Sequence, residues 1–181
     1  MKVLTTPLPV ALRDAVPDDM AAVQAIYAYY VTRTCASFEE EPPDLAEMTR
    51  RHAAIVGRGL PYLVAEDQGE VLGYAYAGPF RPRSAYRYTV EDSIYVAPHV
   101  VRRGVGGLLL DGLVERCAAL GIRQMIAVIG DSANAASISV HRRAGFNQEG
   151  VLRGVGLKFG RWIDVVIMHR TVLPPDAPPP A

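Results

Sequence analysis

Apolar residues along this chain change their spacing several times, and each change predicts an element. After a ragged lead-in over residues 1–9, Leu12-Arg13-Asp14-Ala15 reads as a first strand. Asp18 is placed to cap a helix whose apolar positions, Met20, Val23, Ile26, Tyr27 and Tyr30, recur at helical intervals. Glu40-Glu41-Pro42-Pro43 interrupts the chain, and a second helix, capped by Asp44, is expected from Leu45 to about Val56. Pro61–Ala65 and Val71–Tyr76 flank Asp67-Gln68-Gly69-Glu70, which predicts a hairpin. Thr89–Val96 reads as the next strand, ended by Pro98, and Gly104 to about Leu120 as a third helix stopped by Gly121. Met125–Ile129 is short and wholly apolar, the kind of strand buried on both faces. A fourth helix spans Asn134–Ala144 and closes at Gly145. The remainder is a hairpin with Gly160 at its turn and Trp162–Met168 as the last strand.

The order is β-α-α, an antiparallel meander, β-α-β-α and a closing hairpin, which makes the fold a mixed α/β one. A doubly wound dinucleotide fold alternates strands and helices throughout, and this chain does not. Neither a Gly-Lys-Ser/Thr phosphate loop nor an early Gly-x-Gly-x-x-Gly follows the first strand, so ATP, GTP and NAD are demoted. Residues 1–173 are expected to form one domain. Residues 174–181, with five prolines in eight positions, read as a loose tail.

Charge narrows the partners. Lys and Arg total 19 and Asp and Glu total 19, and this balance argues against a dedicated nucleic-acid binder. No signal-peptide region and no apolar run of membrane-spanning length is present, so a soluble cytoplasmic protein with no membrane partner is expected. Cys35 and Cys117 lie far apart without metal-ligand spacing, and neither a disulfide framework nor a metal site is expected.

The most informative stretch runs from Glu91 to Phe146. Ser93-Ile94-Tyr95-Val96 leads through Arg102-Arg103-Gly104-Val105-Gly106-Gly107 into an apolar helix pattern. Such a turn suits a phosphate-bearing ligand. Glycines allow close approach of backbone N–H groups, the helix N-terminus is partly positive, and the arginines add formal charge.

Ile94-Tyr95-Val96, Arg103-Gly104-Val105-Gly106 and Asn134-Ala135-Ala136-Ser137 with Ala144-Gly145-Phe146 together resemble the GCN5-related N-acetyltransferases. Tyr74 to Pro79, Thr89-Val90-Glu91 and Gly156 to Asp164 resemble more narrowly the phosphinothricin acetyltransferase subgroup, which also acetylates methionine sulfoximine and methionine sulfone. The likeness extends over Leu12 to Val172. It implies a mostly antiparallel sheet, a V-shaped splay between two central strands, about four flanking helices, and acetyl-CoA as co-substrate. Ile94, Tyr95 and Val96 would then hold the pantetheine arm as if it were an added strand. Arg102, Arg103, Gly104, Val105, Gly106 and Gly107 would wrap the pyrophosphate, and Asn134 would reach the pantetheine or the thioester end. The family turn usually opens with Gln or Arg where this chain has Val101, so the charge falls to Arg102 and Arg103.

The resemblance also implies roles at the reacting end. Acetyl transfer to an α-ammonium needs a base, and Glu91 of the Thr-x-Glu element takes that role. Alone it would read as a strand-end glutamate. His141, where many superfamily members carry tyrosine, can protonate the CoA thiolate or merely pack in its helix. Arg81, Arg83 and Tyr86 form a basic, aromatic loop suited to a small oxyanion-bearing amino acid, or else a solvated loop. Phe38 is a pocket aromatic or a core aromatic. Backbone groups of Val128, Ile129 and Gly130 lie beside the splay and would meet the acceptor. Arg87, His52 and His99 read as surface, His169 as a strand end, and Cys117 as packing. Lys158 and Trp162 belong to a hairpin that in relatives helps to build a homodimer.

The expected reaction is direct acetyl transfer in a ternary complex to the α-amine of a small amino-acid analogue. Acetylation of protein N-termini or of another small amine, a non-catalytic acyl-CoA sensor, and a structural module are the rivals. Cofactor binding that survives Glu91→Gln, with no product from either form, would mark the sensor.

Overall fold

The computed structural model describes residues 10–174 and residue 176. The lead-in over 1–9 and most of the proline-rich stretch after Pro174 lie outside the described residues. Seven strands form one open sheet: β1 (Ala11–Asp14), β2 (Tyr62–Asp67), β3 (Glu70–Pro79), β4 (Thr89–Val96), β5 (Gln124–Gly130), β6 (Asn147–Lys158) and β7 (Arg161–Thr171). Their spatial order is β1-β2-β3-β4-β5-β7-β6. Among the described residues only β4 and β5 run parallel, joined through a helical crossover as a parallel pair requires.

Four helices cover the sheet, α1 (Met20–Arg33), α2 (Leu45–Val56), α3 (Val105–Ala119) and α4 (Ala135–Arg143). Tyr95 of β4 packs edge-on against Tyr27 and Tyr30 of α1, with centroids 5.1 Å apart in each pair, so α1 covers that face. His52 of α2 lies 4.9 Å from the Tyr62 ring of β2 on the same side. Helices α3 and α4 take the other face, where Gly106 sits against Val96, Val140 and Ile94. Leu63, Tyr74, Leu109, Leu113, Met125, Phe146 and Met168 form the fully buried centre.

Turn chemistry explains the boundaries. Gln68 and Gly69, with φ of 50° and 87°, make the two-residue turn from β2 to β3, where Asp67 pairs with Glu70. Asp44 accepts the Glu47 N–H at 2.8 Å and caps α2 as expected. Three expectations fail. Asp18 does not cap α1. Pro17–Asp19 is a short 3-10 turn, and the Asp19 carboxylate accepts the Val16 N–H while pairing with Arg13. His52 is buried rather than on the surface, within 3.3 Å of the Ala15 carbonyl, because its position on α2 faces the sheet. Strand β5 is not buried throughout, since Val128 is 41% exposed where β4 has moved away.

Helix α3 lies close to β3 only because Gly73 has no side chain. A methyl there would stand 2.8 Å from the Tyr95 carbonyl oxygen and 3.1 Å from Leu109 Cδ1. Gly73→Ala should therefore lower stability by about 1–3 kcal/mol, read as an earlier urea midpoint at unchanged slope.

Candidate active site

Parallel pairing of β4 and β5 lasts four residues, from Thr89↔Gln124 to Asp92↔Ala127, and then the strands part. Backbone parity shows what this exposes. The Ala97 N–H donates to the Leu72 carbonyl at 2.8 Å, and the Phe80 N–H donates to that of Thr89 at 3.4 Å. Residues 91, 93 and 95 thus bond to β3, while the N–H and C=O of Asp92, Ile94 and Val96 turn towards β5. On β5 the Asp131 N–H donates to the Asp164 carbonyl at 2.9 Å, so residues 127 and 129 bond to β7. Those of Val128 and Gly130 turn towards β4. Past the fork these groups face a cavity of about 830 Å3 instead of a strand.

Phe38, Glu91, Ile94, Tyr95, Val96, Arg102, Gly104, Val105, Gly106, Gly107, Val128, Ile129, Gly130, Asn134 and His141 all line this cavity. Arg103 does not. Arg81 lines a smaller neighbouring cavity of about 500 Å3, floored by the near-parallel rings of Tyr62, Tyr74 and Tyr76. Arg83 and Tyr86 line neither cavity. Tyr86 packs edge-on against Phe80, and the Arg81 guanidinium stacks over the Phe80 ring, 4.4 Å from its centroid. Phe80 is therefore the organiser of the loop, and the sequence reading had passed over it.

The glycine turn supplies a cradle for an anion. Arg102 and Gly104 have left-handed backbones, with φ of 69° and 87°, and Gly104 precedes the first turn of α3. Side chains at Gly104 and Gly107 would meet nothing within 4 Å, so the space above the helix N-terminus is open. Arg143 of α4 adds a second guanidinium to the cavity, a contribution unseen in the turn motif itself. Asn134 caps α4 by accepting the Ser137 N–H at 3.2 Å. These features fit a phosphorylated ligand whose arm runs along β4.

Strand alternation puts Glu91 on the α1 side of β4 and Asp92 on the α3 and α4 side. Burial raises the Glu91 carboxyl above the usual 4.5, the charge of Asp92 adds to that, and Arg81 opposes it. Asp92 is buried, and its Oδ2 lies 2.9 Å from His141 Nε2. Its Oδ1 has no hydrogen-bond partner. His141 Nδ1 is 2.8 Å from the Ser137 carbonyl.

The wall opposite Glu91 is the segment between α1 and α2. Tyr27 bonds to Ser37 and Glu39, and Arg51 clamps Glu39 at 2.6 Å. From the other side, the buried Lys158 donates to the Ser37 carbonyl at 2.6 Å. Gly156 lies flat against the Phe38 ring, with no room for a methyl group.

Comparison with known proteins agrees with this geometry. A family model described as an acetyltransferase (GNAT) domain matches residues 12–167. A phosphinothricin N-acetyltransferase of Alcaligenes faecalis is 56% identical over 153 residues, 84% of this chain and 78% of that protein. An L-methionine sulfoximine/L-methionine sulfone acetyltransferase of Pseudomonas paraeruginosa is 44% identical over 170 residues, 93% of this chain and 98% of the relative. Among solved structures, a phosphinothricin acetyltransferase from Sinorhizobium meliloti in complex with AcCoA superposes with a TM-score of 0.92. It is 47% identical, covering 96% of this chain and 94% of that one.

The Gly156 contact yields a direct test of the wall. Gly156→Ala should cost about 1–3 kcal/mol in urea denaturation, and Phe38→Ala in that background should recover part of the loss.

Proposed function

The chain belongs to the GNAT acetyltransferase family, and from that we propose that it moves the acetyl group of acetyl-CoA to the α-amine of a small amino-acid analogue. Phosphinothricin, methionine sulfoximine and methionine sulfone, the acceptors named for its relatives, define the class. The observation that carries this reading is the position of Glu91, a carboxylate inside the cavity at the last paired turn of the fork.

Acetyl-CoA, when bound, supplies the acetyl group as a thioester. The turn from Arg102 to Gly107 would hold its pyrophosphate, and the outward N–H and C=O of Ile94 with the N–H of Val96 would hold its arm. The acceptor would enter from the tyrosine-lined side, where Glu91 points and where Arg81 offers a guanidinium to an oxyanion. There Glu91 takes one proton from the ammonium and leaves a neutral amine. Backbone N–H groups at the fork stand where negative charge builds during transfer. Fixing both partners in one cavity removes much of the entropic barrier of a bimolecular encounter. Arg83 and Tyr86, outside both cavities, take no direct part in this scheme, and Tyr86 acts by bracing Phe80.

Leu152, Val155, Leu157, Phe159 and Trp162 stand between 51% and 71% exposed on β6, β7 and the turn that joins them. An apolar stripe of that kind on an edge hairpin wants a cover, and a second copy of the chain is the proposed one. Two free, buried cysteines, Cys35 and Cys117, suit a reducing compartment, and the proposed location is the cytoplasm. No helix of the described residues is long and apolar enough to cross a membrane.

Two predictions follow from the base and one from the stripe. Glu91→Gln should lower kcat by about 100-fold or more with phosphinothricin or methionine sulfone, measured as CoA release. Unchanged turnover would remove Glu91 from the chemistry. Glu91 can accept a proton only above its own pKa, so activity should fall as pH drops through a midpoint above 4.5. The pH profile of kcat/KM checks this. Trp162→Glu should convert a dimer to a monomer in analytical ultracentrifugation.

A further inference from the structure

His141, which the sequence offers either as the acid for the CoA thiolate or as a packing residue, does not present an N–H to the cavity. Its side chain is 2% exposed, and both ring nitrogens face protein atoms. The Ser137 carbonyl 2.8 Å from Nδ1 can only accept, so Nδ1 carries a hydrogen. Nε2 lies 2.9 Å from a carboxylate oxygen of Asp92, and these two atoms share a second proton. The pair is therefore a buried, net-neutral unit that stores one proton more than a neutral imidazole beside a carboxylate. Asp92 and His141 belong to the cavity wall, and Ser137 is a polar side chain that meets both the pair and the open space. Ser137 Oγ is 3.4 Å from Nδ1, and Ser137 lines the main cavity one helical turn before His141.

We propose that Ser137 is the catalytic acid that touches the departing sulfur, and that Asp92 and His141 behind it are the proton store that recharges it. This rests on the acetyl-transfer reading above. As the nitrogen–carbon bond forms and the carbon–sulfur bond breaks, the electron pair of the latter goes to sulfur, sulfur takes the hydrogen of Ser137 Oγ, and the second hydrogen of the amine nitrogen leaves to solvent. The hydrogen on His141 Nδ1 moves to Ser137 Oγ in the same passage. His141 is left neutral, with its Nε2 keeping its hydrogen and donating it to Asp92, and regains a proton on Nδ1 from water before the next turnover. Asp92 and His141 touch no reacting atom and are positioning residues.

The surroundings are consistent with a stored proton. Burial pushes the imidazole down, but the hydrogen bond and charge of Asp92 and the Ser137 carbonyl outweigh it, so His141 titrates above the usual 6.5. The other ionisable groups nearby are Glu91 on the far face of β4 and Cys117 on α3, whose buried thiol is pushed up to about 12. On the remaining sides, Arg170 of β7 donates to the Ala144 carbonyl, and Arg142 and Arg143 are exposed on α4. None of these cations bonds to the His141 ring. The Phe146 ring closes its remaining edge at 5.1 Å.

The experiment is an NMR titration of the His141 ring in the ligand-free protein, paired with pH profiles of kcat. Wild-type protein should show both ring nitrogens protonated to a midpoint above 6.5. The isosteric Asp92→Asn should bring that midpoint below 6.5 and carry the alkaline limb of kcat down by the same amount. Ser137→Ala should leave the NMR midpoint in place and lower kcat about 10-fold or more at unchanged KM for acetyl-CoA, with Ser137→Thr restoring most of the loss. An alkaline limb that stays fixed while the Asp92→Asn midpoint moves would overturn the store. Wild-type kcat in Ser137→Ala would overturn the relay, whether or not the Asp92 variant folds. Failure of the Glu91 assignment shows separately, as retained turnover in Glu91→Gln.

Discussion

Four residues of parallel pairing between β4 and β5 hold the two halves of the sheet together, and the pairing ends at Asp92 and Ala127. A buried strand must satisfy its backbone groups somewhere. Past the fork, Ile94 and Val96 on one side and Val128 and Gly130 on the other turn those groups into the cavity. Everything else at the site is arranged around that opening. Helix α3 starts at its mouth, the segment after α1 walls one side, and α4 closes the other. The cavity is thus a break in the hydrogen-bond ladder kept open by neighbours, and it is lined by outward backbone groups together with apolar and charged side chains.

The fork also sorts the chemistry by parity. Glu91 and Asp92 are adjacent in sequence and on opposite faces of one strand. The first faces tyrosines and Arg81, where an ammonium can lose a proton. The second faces α3 and α4, where it meets His141. In the proposed scheme a single strand therefore keeps the base, Glu91, apart from the carboxylate that pairs with His141. Had both carboxylates shared a face, mutual repulsion would have raised one of them far more strongly.

Much of this was legible from residue order. The seven strands, the glycine turn before α3 and the Asn134 cap follow from periodicity and turn chemistry, which are local. Of the residues the resemblance implies for the cofactor, Ile94, Tyr95, Val96, Arg102 and Gly104 to Gly107 line the cavity, and Arg103 does not. What stayed hidden was non-local. Nothing in Glu-Asp at 91 and 92 announces that the aspartate meets a histidine 49 positions away, although alternation in a strand does place it on the buried side. His52 reads as polar surface because its cover comes from β2 and the chain near Ala15. Arg83 and Tyr86 read as ligand contacts because they flank Arg81 in the chain. Yet Phe80, Arg81 and Pro82 line the smaller cavity, whereas Arg83 and the 3-10 turn over Ser84–Tyr86 line neither.

Tyr30 makes the fork asymmetric. Its hydroxyl donates to the Val96 carbonyl at 2.6 Å, so the outer end of β4 offers a donor at 96 and both a donor and an acceptor at 94. An extended ligand with amide groups along its length meets different partners when it is turned end for end. Only one direction satisfies it. A tyrosine that reads as helix packing thereby gives the cleft a polarity along the length of an extended ligand.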